Sequence, residues 1–479
     1  GCNVPEPDTL TRKTILADPL AQFASQHPDA TSKQLAAISS LAERCTKLDT
    51  EHDEIKLLTQ QLSRQIGQAK KDGGEVDELL ATMKKHSKHH KELETGIGEL
   101  QEEILVRFNT TKDAATVAPQ TDTVSTRIYS TTDIDANDIH VSLDAATPEE
   151  WNRYVESNPA ASLYHRAEWQ ALIKETFGHS SYYFSARDKT GNITGVLPLI
   201  RLRSRLFGDF MVSMPYFNYG GAVADHPLIE QHLMEAAAQQ GTRVGVSHIE
   251  FRDDTPRGEL PARTEKVNMI LRLPDNQDEL WQSFTPKLRA QIRRPQRENP
   301  QVLMGGVEYL DDFYAVFSRN MRDLGTPVYS RTFFRNILDS FPGASQLIVV
   351  RLADRPVAAA FLIGHRDTLE IPWASTLSNV NRLSINMLLY WEILKYAIKQ
   401  GYRNFDFGRS SKDSGTYRFK QQWGAQPRPL YWHYWQASGG TLPSLNPDNP
   451  RYALAIKVWQ RLPLIVTKAL GPLVVKNLP

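Results

Sequence analysis

"SQLIVVRLADRPVAAAFLIGHRDTLEIPWAST", residues 345–376, and "INMLLYWEILKYAIKQGYRNFDFGRS", residues 385–410, decide the fold. The first piece holds runs of Val, Ile, Leu, Ala and Phe interrupted by the short polar pieces "ADR" and "HRD", which reads as strand, turn, strand and strand. The second keeps apolar residues at helical spacing up to Gly401 and then gives a short strand. Strands in a row followed by a helix that returns to one more strand describe a mixed α/β unit with largely antiparallel pairing.

A similar order lies ahead of it. "TPEEWNRYV" (147–155) opens a helix, with Thr147 and Glu150 spaced for a capping box. "GNITGVLPLIRLRS" (191–204) is a turn followed by strand residues, and "GVSHIEFRD" (245–253) and "VNMILRL" (267–273) read as further strands. After Pro274, "NQDELWQSFTPKLRAQIRR" and "DDFYAVFSRNMRDL" are helical and lead into the opening stretch. Two α/β units therefore stand in tandem, over 139–273 and 274–479. Residues 446–479 are amphipathic and punctuated by proline, expected to pack on the second unit, with contact to a membrane surface as the other reading.

The chain begins differently. Leu41, Cys45, Leu48, His52, Ile55, Thr59, Leu62 and Ile66 alternate three and four apart, and so do Val76, Leu79, Met83, His86, His90, Leu93, Ile97, Leu100 and Ile104. Gly73 and Gly74 fall between the two seams, so residues 1–108 read as an antiparallel coiled-coil hairpin with arms of roughly 40 Å. Arg64, Lys70, Lys71, Lys84, Lys85 and Lys88 lie on its distal half, where a phosphate backbone could run, although acidic neighbours dilute the patch. The plainer reading is a spacer or dimerisation rod. Residues 109–138, rich in Thr and Asp and short of large apolar side chains, read as a flexible linker.

Composition narrows the class. The 479 residues are 41% hydrophobic and 23% charged, with a formal net charge of +1, so any nucleic-acid contact must come from a local patch. Two cysteines exclude a disulfide framework or a cysteine-rich zinc site and fit a reducing cytoplasm. No opening run has signal-peptide order, and no uninterrupted apolar run is long enough to span a bilayer.

There is no Walker-type glycine loop, no HExxH and no nucleophile elbow. Cations and aromatics instead gather in the second α/β unit. "KLRAQIRR" carries Lys287, Arg289, Arg293 and Arg294, with 289 and 293 on one helical face. Arg322 and Arg409 sit near turns, and "TYRFKQQWGAQP" (416–427) sets Lys420 among Tyr417, Phe419 and Trp423. A lysine gains nothing by entering a core, so either its head reaches water or its charge is used. His165, His179 and His248 are scattered and read as structural, and "NYGG" (218–221) reads as a glycine turn. No carboxylate stands out as a buried base, although Asp323, Asp406 and Asp413 lie near the basic groups. Such a collection stabilises developing negative charge, which suits acyl transfer to an amine.

From Ile139 onward the segments "SLYHRAEWQALIKETFGH", "ITGVLPLIRLRSRLFGD", "YGGAVAD", "RNMRDLGTPVYSRTFF", "FDFGRSSKDSGTYRFKQQWGAQP" and "NPDNPRYALAIKVWQRLPL" resemble, in order, the FemAB-like branch of tandem GNAT-fold transferases, most of all the group found beside exosortase and exopolysaccharide systems. The hairpin segment "LSRQIGQAKKDGGEVDELLATMKKHSKHHKELETGIGELQEEI" resembles the tRNA-binding arm of seryl-tRNA synthetase. These resemblances imply an α+β fold, a helical hairpin followed by two tandem GNAT-like α/β units. They also imply an aminoacyltransferase that takes charged tRNA, serine-type favoured, as donor, with no cofactor beyond it. Lys420 with Phe419 would lie at the reacting centre. Arg322, Arg293, Arg294, Arg289, Lys287, Arg409, Tyr417 and Trp373 would hold an anionic amine-bearing precursor. An acyl-CoA-dependent transferase acting on a polysaccharide precursor and a non-catalytic tRNA-binding scaffold remain the alternatives. A cytoplasmic location, at the inner face of the plasma membrane if the tail docks there, and a dimer through the arm complete the expectations.

Overall fold

The computed structural model describes residues 19–26, 32–71, 76–110, 127, 129, 134–205, 207–257, 260–437 and 450–478. The chain divides into two compact units, Gly1–Thr123 and Val124–Pro479.

The first unit is the expected hairpin, preceded by α1 (Pro19–Gln26) and made of α2 (Ser32–Lys71) and α3 (Asp77–Thr110). Ile38, Leu41 and Cys45 pack against Ile97, Leu100 and Ile104, while Leu48 meets Gly96 and Ser63 reaches Met83. Low numbers meet high ones, so the arms are antiparallel. At 1.5 Å per residue the 40-residue α2 is about 60 Å long, more than the seam alone implied, because the helix continues through polar residues on both sides of it. Gly73 and Gly74 lie outside the described residues.

The second unit runs β1 (His140–Leu143), α4 (Pro148–Ser157), α5 (Glu168–Phe177), β2 (Ser180–Arg187), β3 (Ile193–Ser204), β4 (Gly208–Val212), β5 (Val223–Ala224), α6 (Pro227–Val244), β6 (His248–Asp253), β7 (Ala262–Arg263) and β8 (Lys266–Arg272). It continues with α7 (Gln277–Ser283), α8 (Pro286–Arg293), β9 (Gln301–Gly305), α9 (Leu310–Leu324), α10 (Arg331–Ser340), β10 (Ser345–Leu352), β11 (Arg355–His365) and β12 (Thr368–Thr376). It closes with α11 (Ile385–Lys399), β13 (Asn404–Ser411), α12 (Gly415–Gln421), β14 (Gln426–Pro429), β15 (Tyr431–Gln436), α13 (Pro450–Arg461) and α14 (Leu464–Val475). The capping box at Thr147 and Glu150 is formed as expected. Gly401 turns α11 toward β13 with φ 81°.

The first sheet is ordered β1-β2-β3-β4-β6-β15-β7, with β5 beside β3; the second, read from its far edge, is β9-β10-β11-β12-β13-β8-β14. The two orders correspond strand for strand, and in each the fourth and fifth strands are the parallel pair, β4 with β6 and β12 with β13. They are joined by a reciprocal exchange. β8, from the span 139–273, completes the second sheet, and β15, from the span 274–479, completes the first. One continuous apolar core runs between the sheets, from Trp151 and Trp169 to Phe361 and Trp423, and a smaller one lies beneath α6.

Two described residues of the segment expected to be a flexible linker, Arg127 and Tyr129, are anchored. Arg127 is buried and donates to the Ala222 carbonyl, Glu230 and Asp254, and Tyr129 donates to Glu230 at 2.9 Å. A Thr- and Asp-rich composition hides a single arginine whose partners, Glu230 and the Asp253–Asp254 pair, are distant in sequence.

Candidate active site

β12 and β13 are parallel neighbours only from Thr368–Glu370 against Asn404–Asp406; beyond that register no pairing joins them. Parallel strands that part at their carboxyl ends leave a crevice where ligands bind in open α/β sheets. Glu370 and Asp406 are direct partners in the last paired register, so their side chains lie on one face of strands about 4.8 Å apart. Both are buried.

A bulge in β13 places the next groups. Its register with β8 shifts between Asp406 and Arg409, and Gly408 takes φ 77°, which glycine adopts without strain. The turned backbone lets the Gly408 N–H donate to Asp406 Oδ1 at 2.7 Å, while Tyr219 and Asn268 donate to Oδ2 at 3.1 and 2.9 Å. The same turn aims the carbonyls of Gly408 and Arg409 at Lys420. Capped by Ser414, α12 starts directly after β13 and folds back over the bulge. Lys420 Nζ donates to the Gly408 and Arg409 carbonyls at 2.9 and 3.0 Å. At 8% exposure Lys420 is no snorkelling side chain on a strand edge. An ammonium has three donors, and two are spent here.

Electrostatics set this group apart. Burial draws Lys420 down to about 8, opposed by Asp406 and reinforced by Arg409. Burial lifts Asp406 to about 6 against the pull of its donors and of Lys420. Glu370, which accepts from Tyr164 at 2.7 Å, is pushed well above the carboxylate range by burial and then by Asp406. Two buried carboxylates side by side do not both ionise readily at neutral pH. Perturbed acids and a perturbed amine at a crevice mark a functional site.

Arg409 leaves the bulge toward the first sheet, its guanidinium 4.6 Å from the ring of Trp432, whose other neighbour is Arg252 at 4.2 Å. Of the expected residues, Lys420 and Arg409 thus meet at one place. Phe419 turns the other way, edge-on to Tyr390 at 5.1 Å, and fixes α12 on α11. Tyr417 packs on the core beside it. Trp373 is enclosed by Tyr329, Phe333, Phe334, Phe361 and Phe217. Arg322 pairs with Asp323 at 2.7 Å, Arg293 lies 5.0 Å over Trp281, and Arg289 leans on the carbonyls of Trp281 and Gln282. Lys287 and Arg294 are exposed, and among the described residues no contact links these five cations to Lys420. In the hairpin, Arg64, Lys84, Lys85 and Lys88 are exposed; the side chains of Lys70 and Lys71 lie outside the described residues.

Sequence reading passes over Glu370, and it takes "NYGG" for a turn although Tyr219 reaches Asp406. Asp406 enters it only as a neighbour of cations. A charged residue at the centre of "TLEIPW" and of "NFDFG", each flanked by apolar strand residues, is the available signal. His165 and His179 are structural as read: His165 bonds Ser162 and the Gly221 carbonyl, and His179 bonds Tyr216 and the Lys476 carbonyl.

The comparisons agree with a composite chain. Residues 286–421, which include Glu370, Asp406, Gly408, Arg409 and Lys420, match the acetyltransferase (GNAT) domain family. Residues 10–106 match the seryl-tRNA synthetase N-terminal domain family. No curated protein matches the chain. Among solved structures, FemX is 15% identical with a TM-score of 0.49, over 61% of this chain and 97% of that one. L-PGS from Bacillus licheniformis is 13% identical with a TM-score of 0.40, over 66% and 97%. A tandem GNAT protein from the clavulanic acid biosynthesis pathway is 13% identical with a TM-score of 0.40, over 64% and 100%.

Proposed function

We propose that this chain is a tRNA-dependent aminoacyltransferase of the FemAB-like kind. It would move an amino acid, serine first among the candidates, from aminoacyl-tRNA to an amine on an anionic precursor such as a cell-wall peptide. The observation that carries the reading is Lys420, an ammonium held by two carbonyls at the crevice where β12 and β13 part, within a segment matching the acetyltransferase (GNAT) domain. The match of the hairpin to the seryl-tRNA synthetase N-terminal domain supports the choice of donor.

The acceptor amine attacks the ester carbonyl carbon, the C–O bond to the tRNA ribose breaks, and the proton lost by the amine ends on the departing ribose oxygen. Lys420, with its third N–H, stabilises the oxyanion of the tetrahedral intermediate. Asp406 keeps that ammonium charged, and Tyr219 and Asn268 keep Asp406 in place. Arg409 supplies a guanidinium for an anionic group of the acceptor, its plane steadied by Trp432.

The test is transfer from seryl-tRNA, with tRNA binding measured across a salt series for the full chain and for one lacking residues 1–110. Binding that weakens steeply with salt and vanishes on truncation supports a donor grip. If neither form binds tRNA above a non-specific level, the reading fails. Turnover of an acyl-CoA by the truncated chain then establishes the acyl-CoA-dependent alternative, which the acetyltransferase match favours. A Lys420→Met chain with undiminished transfer would point to a scaffold.

A further inference from the structure

α14 is apolar on both sides. Thr467, Gly471 and Val475, four residues apart, form its buried stripe, and Gly471 sits so close to the loop after α9 that an added Cβ would lie 2.8 Å from the backbone of Val328. The opposite side should be polar in a helix resting on a water-facing surface. Instead it carries Ile465 at 82% exposure, Leu473 at 60% and Leu470 at 44%. The neighbouring α13 adds Val458 at 53% and Ile456, and Ile456 touches Gly325, next to the exposed Leu324. Scattered apolar residues on a surface need no account, but a run of them over two adjoining helices and a helix end does.

Charge narrows the occupant. Residues 450–479 contain Arg451, Lys457, Arg461, Lys468 and Lys476 and no Asp or Glu, in a chain whose net charge is only +1. Two copies meeting through this face would bring cations against cations, and lysine is depleted from protein interfaces. An anionic bilayer meets both demands, taking the apolar side chains at the headgroup boundary and the ammoniums at its phosphates. At 12 residues each, the two helices are about 18 Å long, too short to cross. Among the described residues no helix is long and apolar enough to span a membrane.

We infer that the surface formed by α13 and α14 docks this protein on an anionic lipid bilayer, with the helices lying in the interface. The inference stands on these two helices alone and is independent of the transfer chemistry. It places the protein where acceptors carried by lipid would be reached.

Flotation of the full chain with vesicles tests it, one set of phosphatidylcholine alone and one of equal parts phosphatidylcholine and phosphatidylglycerol. The full chain should float with the second set only and be released by high salt. Ile465→Asp with Leu473→Asp, at two exposed positions, should leave the thermal midpoint unchanged and weaken binding about tenfold or more. Lys457→Glu with Lys468→Glu should weaken it by a similar factor. Absence of flotation with anionic vesicles overturns the inference, as does binding to both sets that neither double variant weakens. A concentration-dependent dimer that Ile465→Asp with Leu473→Asp abolishes, without flotation, gives the face to a second copy instead.

Discussion

The two sheets have the same junction and use it differently. In the first, β4 and β6 run parallel through Met211 against Ile249 and Val212 against Glu250; in the second, the last paired register of β12 and β13 sets Glu370 against Asp406. Glu250 and Asp406 therefore occupy equivalent places. Glu250 faces valine and is answered by Arg252 at 2.7 Å and the Tyr434 hydroxyl at 2.6 Å. Burial pushes it up, yet those partners hold it below the usual range. Asp406 faces a second carboxylate, has no arginine, and ends high. The same buried acid is a structural ion pair in one half and a poised group in the other. What separates them is whether the residue two further on is an arginine, which pulls Glu250 down, or the bulge glycine, whose N–H does not overcome the burial of Asp406.

The largest effect should come from breaking the satisfied junction. Arg252→Met leaves Glu250 buried without its guanidinium, and removing one partner of a buried pair costs about 3–5 kcal/mol. Calorimetry of the full chain should show a marked fall in the midpoint of the second unit. An unchanged midpoint would mean that Tyr434 alone suffices and that the contrast between the junctions lies elsewhere. Next in size, Lys420→Met should lower kcat about 10²–10³-fold, the scale of one lost oxyanion donor, with a smaller change in KM and in thermal midpoint. If the losses were reversed, falling on stability and not on kcat, Lys420 would be a strut for the bulge.

Much of this architecture was legible in the sequence. The hairpin seams, the capping box at Thr147 and the strand–turn–strand run before α11 are local patterns, and local patterns survive folding. The exchange of β8 and β15 was not legible, because nothing in "VNMILRL" or "YWHYWQ" says which sheet a strand will join. The site was half legible. Lys420 stood out as a cation in apolar surroundings, whereas Glu370 and Asp406 gain their meaning from a cross-strand register 36 residues apart, and such pairing is set by tertiary topology. The arginines of α8 looked like one cluster at helical spacing. Their spacing was right, but Trp281 and nearby carbonyls occupy Arg289 and Arg293.

The pH profile sharpens the same contrast without a mutation. If the working form is charged Lys420 beside ionised Asp406, kcat should rise as pH passes about 6, where Asp406 ionises, and fall as pH passes about 8, where Lys420 loses its proton. A rate that instead climbs through 8 would make neutral Lys420 the proton acceptor. The smallest change expected is that of Glu370→Gln, which keeps an acceptor for Tyr164 and replaces an acid that burial and Asp406 hold in its neutral form. Asp406 already ionises beside a neutral Glu370, so the acid limb of the profile should stay where it is. Stability has its own sign. A carboxyl raised in the folded state binds its proton more tightly there than in the unfolded chain, so its burial weakens the fold progressively as pH rises from the unfolded value through the folded one. The Gln variant should consequently gain thermal stability at pH 8 and nothing at pH 4, the opposite of Glu250→Gln, which removes an acid held low and so loses stability at pH 8. Equal responses from the two variants would show that the junctions are electrostatically alike after all.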